Sequence, residues 1–385
     1  MSKLDELIAE LCPDGVEYVR LAECCDIEDN KRKPVKSSLR IPGDTPYYGA
    51  NNIQDYVEGY THYGQYVLIA EDGSASLENY SVQYVDGFFW ANNHVHVIKG
   101  RKDLDTKFLY YYLTSFNFIP FLTGGTRAKL NKGNMEEIPI PIPPLPVQQE
   151  IVRILDNFTE LTAELTAELT AELTARRKQY EYYRDLLLTF GDDVPMMALG
   201  DICTVQSGGT PSKANHEYWD NGTIKWLGST VCQNQKTVDE VTNYISELGL
   251  KNSSSKLMKK ETTLIALVGA TIGKVAFLPF EAAINQNIAG IYPIDTSRIN
   301  PSYVFYACSM LYSDFIGLSQ GKLAMANLSF VRGLKIPVPP LKEQERIVAI
   351  LDRFDALCND LTSGIPAEIE ARQKQYEYYR DKLLS

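Results

Sequence analysis

Two stretches of the chain, PPLPVQQEIVRILDNF at 143–158 and PPLKEQERIVAILDRF at 339–354, repeat one another. The same offset of 196 residues relates RKQYEYYRDLLL at 177–188 to QKQYEYYRDKLL at 373–384. Over 143–188, 27 of the 46 positions are identical to their counterparts, without a gap. The middle of the segment has therefore kept its length while its sequence diverged, which predicts that its length matters.

Each repeated segment begins with a proline-rich lead, IPIPIPPLP or KIPVPPLK, which predicts an extended connector into a helix. Apolar residues then recur at helical spacing from Ile151 to Leu187, and the second copy keeps the same register from Ile347 to Leu383. At ~1.5 Å per residue, a helix of about 40 residues is roughly 60 Å long. The matching stripes predict that the two helices pack as an antiparallel pair.

The middle of the first helix is a tetrad repeat, with ELTA written four times over 160–175. Glu, Leu and Ala favour helix, so a simple low-complexity helix is one interpretation. Each tetrad also adds about 6 Å and about 40° beyond a full turn, which is how a spacer of defined length would be built. In the second copy Gly364 and Pro366 predict an interruption, with Ser363 capping the restart.

A segment rich in Tyr, Asn and Gly, with short β-like runs, precedes each helix and predicts a mixed α/β domain. The two segments align at their starts, VEYVRLAECCDI at 16–27 with VPMMALGDICTV at 194–205, whereas their middles are unalike. We therefore expect two modules that do the same kind of work on different targets. Residues 1–14 could continue the helix that ends at Leu384, which would make the duplication circular.

The predicted fold class is mixed α/β (α+β), with two globular domains joined by two long antiparallel coiled-coil helices in a circular pseudo-two-fold repeat. The predicted parts are an N-terminal helix segment (1–14), a first domain (15–142), a first spacer helix (143–190), a second domain (191–338) and a second spacer helix (339–385).

The composition is that of a globular protein, with 44% hydrophobic and 23% charged residues among 385. No window approaches the ~18 apolar residues of a membrane span, and the start, MSKLDELIAELCPD, lacks the apolar core of a signal peptide, so we expect a cytoplasmic chain. The seven scattered cysteines include no C-x-x-C pair, which favours reduced thiols over disulfides or a zinc site.

The charge balance is acidic, with 38 basic and 49 acidic side chains and a net charge of -11. This balance argues against a protein that grips nucleic acid unaided, because neutralising phosphates requires concentrated Lys and Arg. Three local basic clusters remain, and each alone is more simply a solvated surface than a DNA site. They are Lys31, Arg32, Lys33 and Lys36; Arg127, Lys129 and Lys132; and Lys256, Lys259 and Lys260.

Motifs of catalysis are missing from the sequence. There is no N-P-P-Y or Pro-Cys motif of a DNA methyltransferase and no G-x-G-x-x-G. GATIGKV at 269–275 departs from a P-loop, because three residues separate its glycines and Val275 stands where Ser or Thr must reach magnesium. His94 and His96 could share one strand face, but a packed strand edge is the simpler interpretation, and we expect no metal site.

Several motifs together resemble the specificity subunit of a type I restriction-modification enzyme, of the branch with TAEL-type spacer repeats. They are SGGTPSK (207–213), YWDNGTIKWL (218–227), LVGATIGKVAF (267–277), INQNIAG (284–290), KLNKGNMEEIPIPIPPLPVQQEIVRILD (129–156) and the tetrads followed by RRKQYEYYRD. The resemblance covers nearly the full chain. The first domain departs from it, with KRKPVKSSLRIPGDTPYYGANNI at 31–53 where the second has SGGTPS and the Trp motif.

The resemblance implies two target recognition domains that each read one half of a split DNA site, held apart by the helices as a ruler. It implies two methyltransferase subunits, which bind S-adenosylmethionine and methylate adenine, and two restriction subunits, which translocate and cut DNA with ATP and Mg. The chain itself would bind no cofactor and carry no catalytic residue. A helical scaffold without a DNA role and a self-contained methyltransferase are the alternatives; the first leaves the two divergent domains unexplained, and the absent motifs oppose the second.

Asn, Gln, Arg and Lys can pair with base edges, and glycine loops let backbone N–H groups approach phosphate. The candidate DNA contacts of the first domain are Lys31, Arg32, Lys33, Tyr47, Asn51, Asn52, Arg127 and Lys129. Those of the second domain are Ser207, Gly209, Thr210, Ser212, Lys213, Thr271, Lys274, Gln320 and Lys322. Trp226 and Gln286 are assigned mainly to structural roles. The candidate partner-binding residues on the helices are Gln179, Glu181, Arg184, Gln375, Glu377 and Arg380.

Overall fold

A computed structural model of the chain describes residues 2–125, 128–238, 241, 243–318, 325–359 and 364–384. The chain divides into two compact units, residues 1–167 with 370–385 and residues 168–369. Both units combine β-sheet with helices, and each contains part of the long helical segments. The mixed α/β fold class with a two-domain arrangement is therefore confirmed.

The first unit contains a six-stranded sheet in the order β2-β7-β5-β6-β3-β4 and a separate ladder of β1 with β8. Its elements in chain order are α1 (Lys3–Leu11), β1 (Tyr18–Arg20), α2 (Leu21–Cys24), β2 (Cys25–Ile27), β3 (Pro42–Tyr48), β4 (Ile53–Val57), β5 (His62–Ala70), β6 (Val82–Ala91), β7 (Val95–Gly100), α3 (Thr106–Ser115), α4 (Lys132–Glu136), β8 (Pro139–Pro141) and the start of α5 (Leu145–Leu188).

The second unit contains two four-stranded sheets, β10-β17-β14-β15 and β12-β11-β16-β13, and a ladder of β9 with β18. Its elements are the end of α5, β9 (Met196–Ala198), α6 (Leu199–Ile202), β10 (Cys203–Ser207), β11 (Ile224–Leu227), β12 (Tyr244–Ile245), α7 (Glu247–Lys251), β13 (Lys256–Met258), β14 (Thr263–Ala266), β15 (Val275–Phe277), β16 (Ala282–Ile284), β17 (Ile288–Pro293), α8 (Pro301–Ser309), α9 (Tyr312–Leu318), α10 (Leu328–Gly333), β18 (Lys335–Pro337) and α11 (Leu341–Asn359). The last helix is α12 (Ile365–Leu384), most of which belongs to the first unit.

The two domains share a strand topology although the middles of their sequences are unalike. In the first domain β5 and β6 are continuous, and Gly64 faces Gly87 in the ladder, both with left-handed φ values of 125° and 119°. These glycines allow a bend that a residue with a Cβ rarely adopts. In the second domain the corresponding strands are broken into β13 with β14 and β15 with β16, and Glu261 in the first break has a φ of 69°. One bent sheet therefore corresponds to two smaller sheets.

A fully buried glutamine ties the start of each repeated helix to its domain. Gln148 donates to the carbonyls of Pro143 at 2.6 Å and Asp103 at 2.8 Å, and its Oε1 accepts from the Asp105 backbone N–H at 2.8 Å. Asp105 in turn caps α3. Because all polar atoms meet partners, this buried amide fixes the helix direction without an unsatisfied group.

The second copy reproduces this junction. Gln344 donates to the carbonyls of Pro339 at 2.8 Å and Arg298 at 3.1 Å and accepts from the Asn300 backbone N–H at 2.9 Å. Asn300 caps α8, the counterpart of α3. The sequence repeat is therefore also a repeat of buried hydrogen bonds.

Each half of α5 packs in its own unit against a helix that runs antiparallel to it. In the first unit the Phe158 ring stacks with Tyr379 of α12 at 6.0 Å between centroids. In the second unit Tyr183 stacks with Phe354 of α11 at 5.5 Å. Since Phe158 corresponds to Phe354 and Tyr183 to Tyr379 in the repeat, the two halves use the same contact.

The second helical segment is interrupted at Gly364, as the sequence predicts, because this residue lies outside a helix and α12 begins after it at Ile365 with Pro366 in its first turn. The predicted cap, Ser363, lies outside the described residues. Helix α1 starts independently with Ser2 as its capping residue, and Leu4 belongs to the same apolar cluster as Leu384.

All seven cysteines are free and buried. None of the described helices is both long and apolar enough to cross a membrane.

Candidate nucleic-acid interface

A four-residue turn between β6 and β7, residues 91–94, holds three loops of the first domain together through backbone atoms. The Ala91 carbonyl accepts from the Lys33 N–H at 2.9 Å, the Asn92 N–H donates to the Tyr48 carbonyl at 3.2 Å, and the His94 carbonyl accepts from the Glu71 N–H at 2.8 Å. The buried Asn92 side chain closes the turn by accepting from the His94 N–H at 2.8 Å. The loops that follow β2, β3 and β5 therefore meet around this turn.

The second domain builds the same turn from residues 284–287, between β16 and β17. The Ile284 carbonyl accepts from Gly209 at 3.0 Å, Asn285 donates to the Leu227 carbonyl at 3.0 Å, and the Asn287 carbonyl accepts from Leu267 at 2.8 Å. Asn285 closes the turn by accepting from the Asn287 N–H at 3.0 Å. We call the loops held by these turns the three-loop surface of each domain.

Sequence reasoning did not single out Asn92 or Asn285. The signal was present, because ANNH at 91–94 and INQN at 284–287 both place an asparagine one residue beyond a strand and a polar residue after it. An asparagine that accepts from the N–H two residues ahead is a common turn device.

All three tryptophans of the chain donate their indole N–H to a carbonyl of a candidate loop. Trp90 donates to Lys33 at 2.7 Å, Trp226 to Gly209 at 3.0 Å and Trp219 to Ser212 at 3.2 Å. Lys33 and Gly209 hold corresponding places, yet Trp90 lies on β6 whereas Trp226 lies on β11. The structural role of Trp226 is therefore to anchor the loop after β10. Trp90 anchors the corresponding loop of the first domain, but from a different strand.

Replacing Trp226 with Phe should destabilise the second domain by about 1–3 kcal/mol, because the hydrogen bond to the Gly209 carbonyl and the packing of the pyrrole part of the indole are both lost. Denaturant unfolding of the full chain measures the loss. Trp90→Phe is the reciprocal control and should affect the first domain alone. Unchanged unfolding in both variants would show that these bonds do not hold the loops.

Most basic candidates of the first domain pair with acidic residues. Arg32 contacts Glu71 at 2.6 Å, and Lys129 contacts the same carboxylate at 2.8 Å. Partial burial opposes ionisation of Glu71, but these two hydrogen bonds outweigh it and lower its pKa. Lys31 pairs with Glu28 at 2.7 Å. Much of the positive charge counted in the sequence is thus neutralised within the domain.

The remaining candidates of the first domain divide between surface and core. Lys33 is exposed and lies 5.9 Å from the Trp90 ring centroid. Asn51 bridges the loops by donating to the Gly73 carbonyl at 2.7 Å and accepting from Ala75 at 2.8 Å, and Asn52 accepts from its neighbour's N–H. Tyr47 is only 1% exposed, so its proposed DNA contact is replaced by a packing role. Arg127 lies outside the described residues.

In the second domain Gly208 and Gly209, the glycines of the SGG motif, lie where the backbone packs too closely for a side chain. A Cβ on Gly208 would lie 1.8 Å from the Ile284 carbonyl oxygen, and one on Gly209 would lie 1.9 Å from the Ser254 hydroxyl. The predicted role of Gly209, offering its N–H to phosphate, does not hold, because the residue is buried and that N–H donates to Ile284. Ser207 lies at the end of β10, half-buried.

The other candidates of the second domain lie on or beside the loop surface. Thr210 donates its hydroxyl to Gln286 Oε1 at 2.8 Å. Ser212 and Lys213 are exposed, and Thr271 and Lys274 are half-buried in the loop after β14. Within the described residues neither lysine forms an ion pair. Gln320 and Lys322 lie outside the described residues.

The two histidines of the H-x-H pattern have separate structural partners. His94 contacts Asp72 at 2.5 Å. His96 is buried, with Nδ1 2.6 Å from Asp29 and Nε2 2.8 Å from the Leu130 carbonyl. Burial opposes ionisation of Asp29, but the hydrogen bond with His96 lowers its pKa. In the part of the chain that the structure describes, no group of three or more His, Cys, Asp or Glu could hold a metal.

The candidate partner-binding residues lie on corresponding helix positions. Glu181 and Glu377 are exposed, and Arg184 and Arg380 each pair with the next residue, Asp185 or Asp381, at 2.7 Å. Gln179 and Gln375 each accept from an arginine three residues earlier. Tyr182 and Tyr378, which lie in the same segments, are 64% and 62% exposed. The two repeated helices therefore expose corresponding residues to a similar extent.

Two equivalent three-loop surfaces, carried by domains that share a duplicated helical support, define a bipartite binding protein. The chain matches the family described as type I restriction modification DNA specificity domain twice, over residues 13–175 and 191–371. It therefore belongs to that family.

Known relatives agree with this assignment. A Haemophilus influenzae protein named as a type I restriction enzyme specificity subunit is 48% identical over 96% of this chain and 95% of its own length. The Escherichia coli EcoR124I/EcoR124II specificity subunit is 40% identical over 72% of this chain and 70% of its own. A solved chain of a type I restriction-modification system has the same fold, with a TM-score of 0.62 and 18% identity over 97% of this chain and 98% of that one.

Proposed function

We propose that this chain is the DNA sequence-recognition subunit of a type I restriction-modification complex, without catalytic activity of its own. Each domain reads one half of a bipartite DNA site, and the helices set the distance between the halves. The observation that carries the proposal is that the two domains, unalike in sequence, present the same three-loop surface while their supporting junctions are duplicated bond for bond.

The same proposal assigns the remaining partners. Two methyltransferase subunits dock on the duplicated helical segments, and two restriction subunits complete a cytoplasmic complex. S-adenosylmethionine, ATP and Mg bind to those subunits and not to this chain. The net charge of -11 fits this division, because basic surface supplied by the partners would close around the DNA.

Mapping of methylated adenines tests the proposal. The chain assembled with its methyltransferase subunits should methylate a split site with two specific halves, and the purified chain alone should show no methyl transfer, ATP hydrolysis or cleavage. Methylation by the chain alone, or by the complex without a bipartite consensus, would contradict it.

Reversing the charges of corresponding residues on the repeated helices should weaken assembly. We expect Glu181→Lys with Arg184→Glu to remove one methyltransferase site, and Glu377→Lys with Arg380→Glu to remove the other, each with at least a tenfold loss of affinity, about 1.4 kcal/mol. Titration of the methyltransferase subunit onto the chain measures both affinity and stoichiometry. Glu160→Lys, in the divergent tetrads, is the matched control. If both double variants still bind two subunits at full affinity, the interface lies elsewhere.

A further inference from the structure

We infer that Asn93 and Gln286 are base-reading residues, one for each half of the DNA site. This inference rests on the proposed function and adds two residues to it. Both occupy the third position of the turns described above, 91–94 and 284–287, and both are exposed. Each carries a carboxamide, although the two turns share no residue other than the closing asparagine and the surrounding loops are unalike in sequence.

The backbone bonds of the turn place this position at the centre of the three-loop surface. The first and fourth residues of each turn bond to the loops that follow β2 and β5 in the first domain and β10 and β14 in the second. The second residue bonds to the last residue of β3 or β11, where the third loop begins. Among the described residues, the backbone of the third residue, Asn93 or Gln286, makes none of these bonds. Its side chain therefore starts from the point where the three loops converge.

Both side chains have hydrogen-bonding groups that are available to a ligand. Within the described residues the Asn93 carboxamide makes no hydrogen bond, and Gln286 accepts one, from the Thr210 hydroxyl at 2.8 Å. That bond orients the Gln286 amide and leaves its NH2 group and one lone pair of Oε1 available. Gln286 is thus pre-positioned by a residue of the neighbouring loop, whereas Asn93 is shorter by one methylene and stands without such a brace.

The chemistry of a carboxamide selects the ligand. In the major groove adenine presents the N7 acceptor beside the N6 donor, and the amide of Asn or Gln matches this pair with one donated and one accepted hydrogen bond. A cytosine or thymine edge offers only one of the two groups. We therefore assign an adenine edge to each residue, in opposite halves of the site.

Alanine variants in the assembled methyltransferase complex test the assignment. On a randomised DNA library, Gln286→Ala should lower discrimination at one position of one half-site by roughly 5- to 150-fold, and Asn93→Ala should do the same in the other half. The gap and the remaining bases should stay unchanged. Gln65→Ala removes an exposed carboxamide from β5 outside the surface and is the control, with no expected change in the site.

Two conservative variants protect the test against loss of folding. Asn93→Gln and Gln286→Asn move the amide by one methylene and should alter the same base position without changing the unfolding midpoint. If all four variants keep wild-type preferences, or if a single variant relaxes both half-sites, the assignment is wrong. A wild-type complex that shows no bipartite site would instead overturn the proposed function.

Discussion

Deletion of one tetrad, Glu164–Ala167, is expected to shorten the gap between the two half-sites while the bases read in each half remain the same. A straight helix loses ~6 Å and rotates back by about 40° when four residues are removed. A base pair contributes roughly 3.4 Å of duplex length, so the gap should shrink by one or two base pairs, with DNA twist and bending taking up the remainder. The fold should survive, because four residues are close to one turn and the Leu stripe nearly keeps its register.

Methylation mapping of the assembled complex provides the measurement. A variant of unchanged length, Glu164→Gln with Thr166→Ala, is the matched control and should leave the gap as in the wild type. An unaltered gap after deletion, or altered bases within a half-site, would exclude the helices as the ruler.

Replacing the buried amide at the start of either repeated helix should cause the largest loss of stability. Gln344→Ala leaves the Asn300 N–H and the carbonyls of Pro339 and Arg298 without their partner inside the protein. A loss of about 2–4 kcal/mol in the free energy of unfolding is expected for the second unit, from unsatisfied groups and the cavity together. Gln148→Ala should have the same effect on the first unit.

Denaturant unfolding followed by a probe in each unit measures this loss. The adjacent Gln149 is exposed, so Gln149→Ala is a control of the same residue type and should change stability by no more than about 0.5 kcal/mol. Equal effects for Gln148 and Gln149 would show that the junction is not held by the buried amide.

The helical part of the fold could be predicted from the sequence because its determinants are local. The apolar stripe from Ile151 to Leu187 and the gap-free repeat predict long paired helices, and Gly364 with Pro366 predict the break between α11 and α12. The shared topology of the domains could not be predicted. Two continuous strands that bend at Gly64 and Gly87 in the first domain correspond to strands that are each interrupted in the second.

The candidate interface could be predicted only in part, for a related reason. Arg32 and Lys129 stood out as basic residues, but both pair with Glu71, which is distant in sequence, and Arg32 pairs with Asp29 as well. Gly209 stood out as a loop glycine able to approach phosphate, whereas the structure requires glycine there because a Cβ would collide with Ser254. Charge and composition identify which residues can bind DNA, and tertiary contacts decide which of them are free to do so.

Attachment of the three loops through main-chain atoms has an evolutionary consequence. A bond between a backbone N–H and a backbone carbonyl does not depend on the side chains of the two residues, so substitutions along the loops leave the support intact. The closing asparagines, Asn92 and Asn285, add a side-chain bond within each turn, and Trp90 and Trp226 add a side-chain bond to one loop of each domain. Selection can therefore exchange the residues displayed on one domain, and so change half of a recognised sequence, while the helices and the other domain continue to work without compensating mutations.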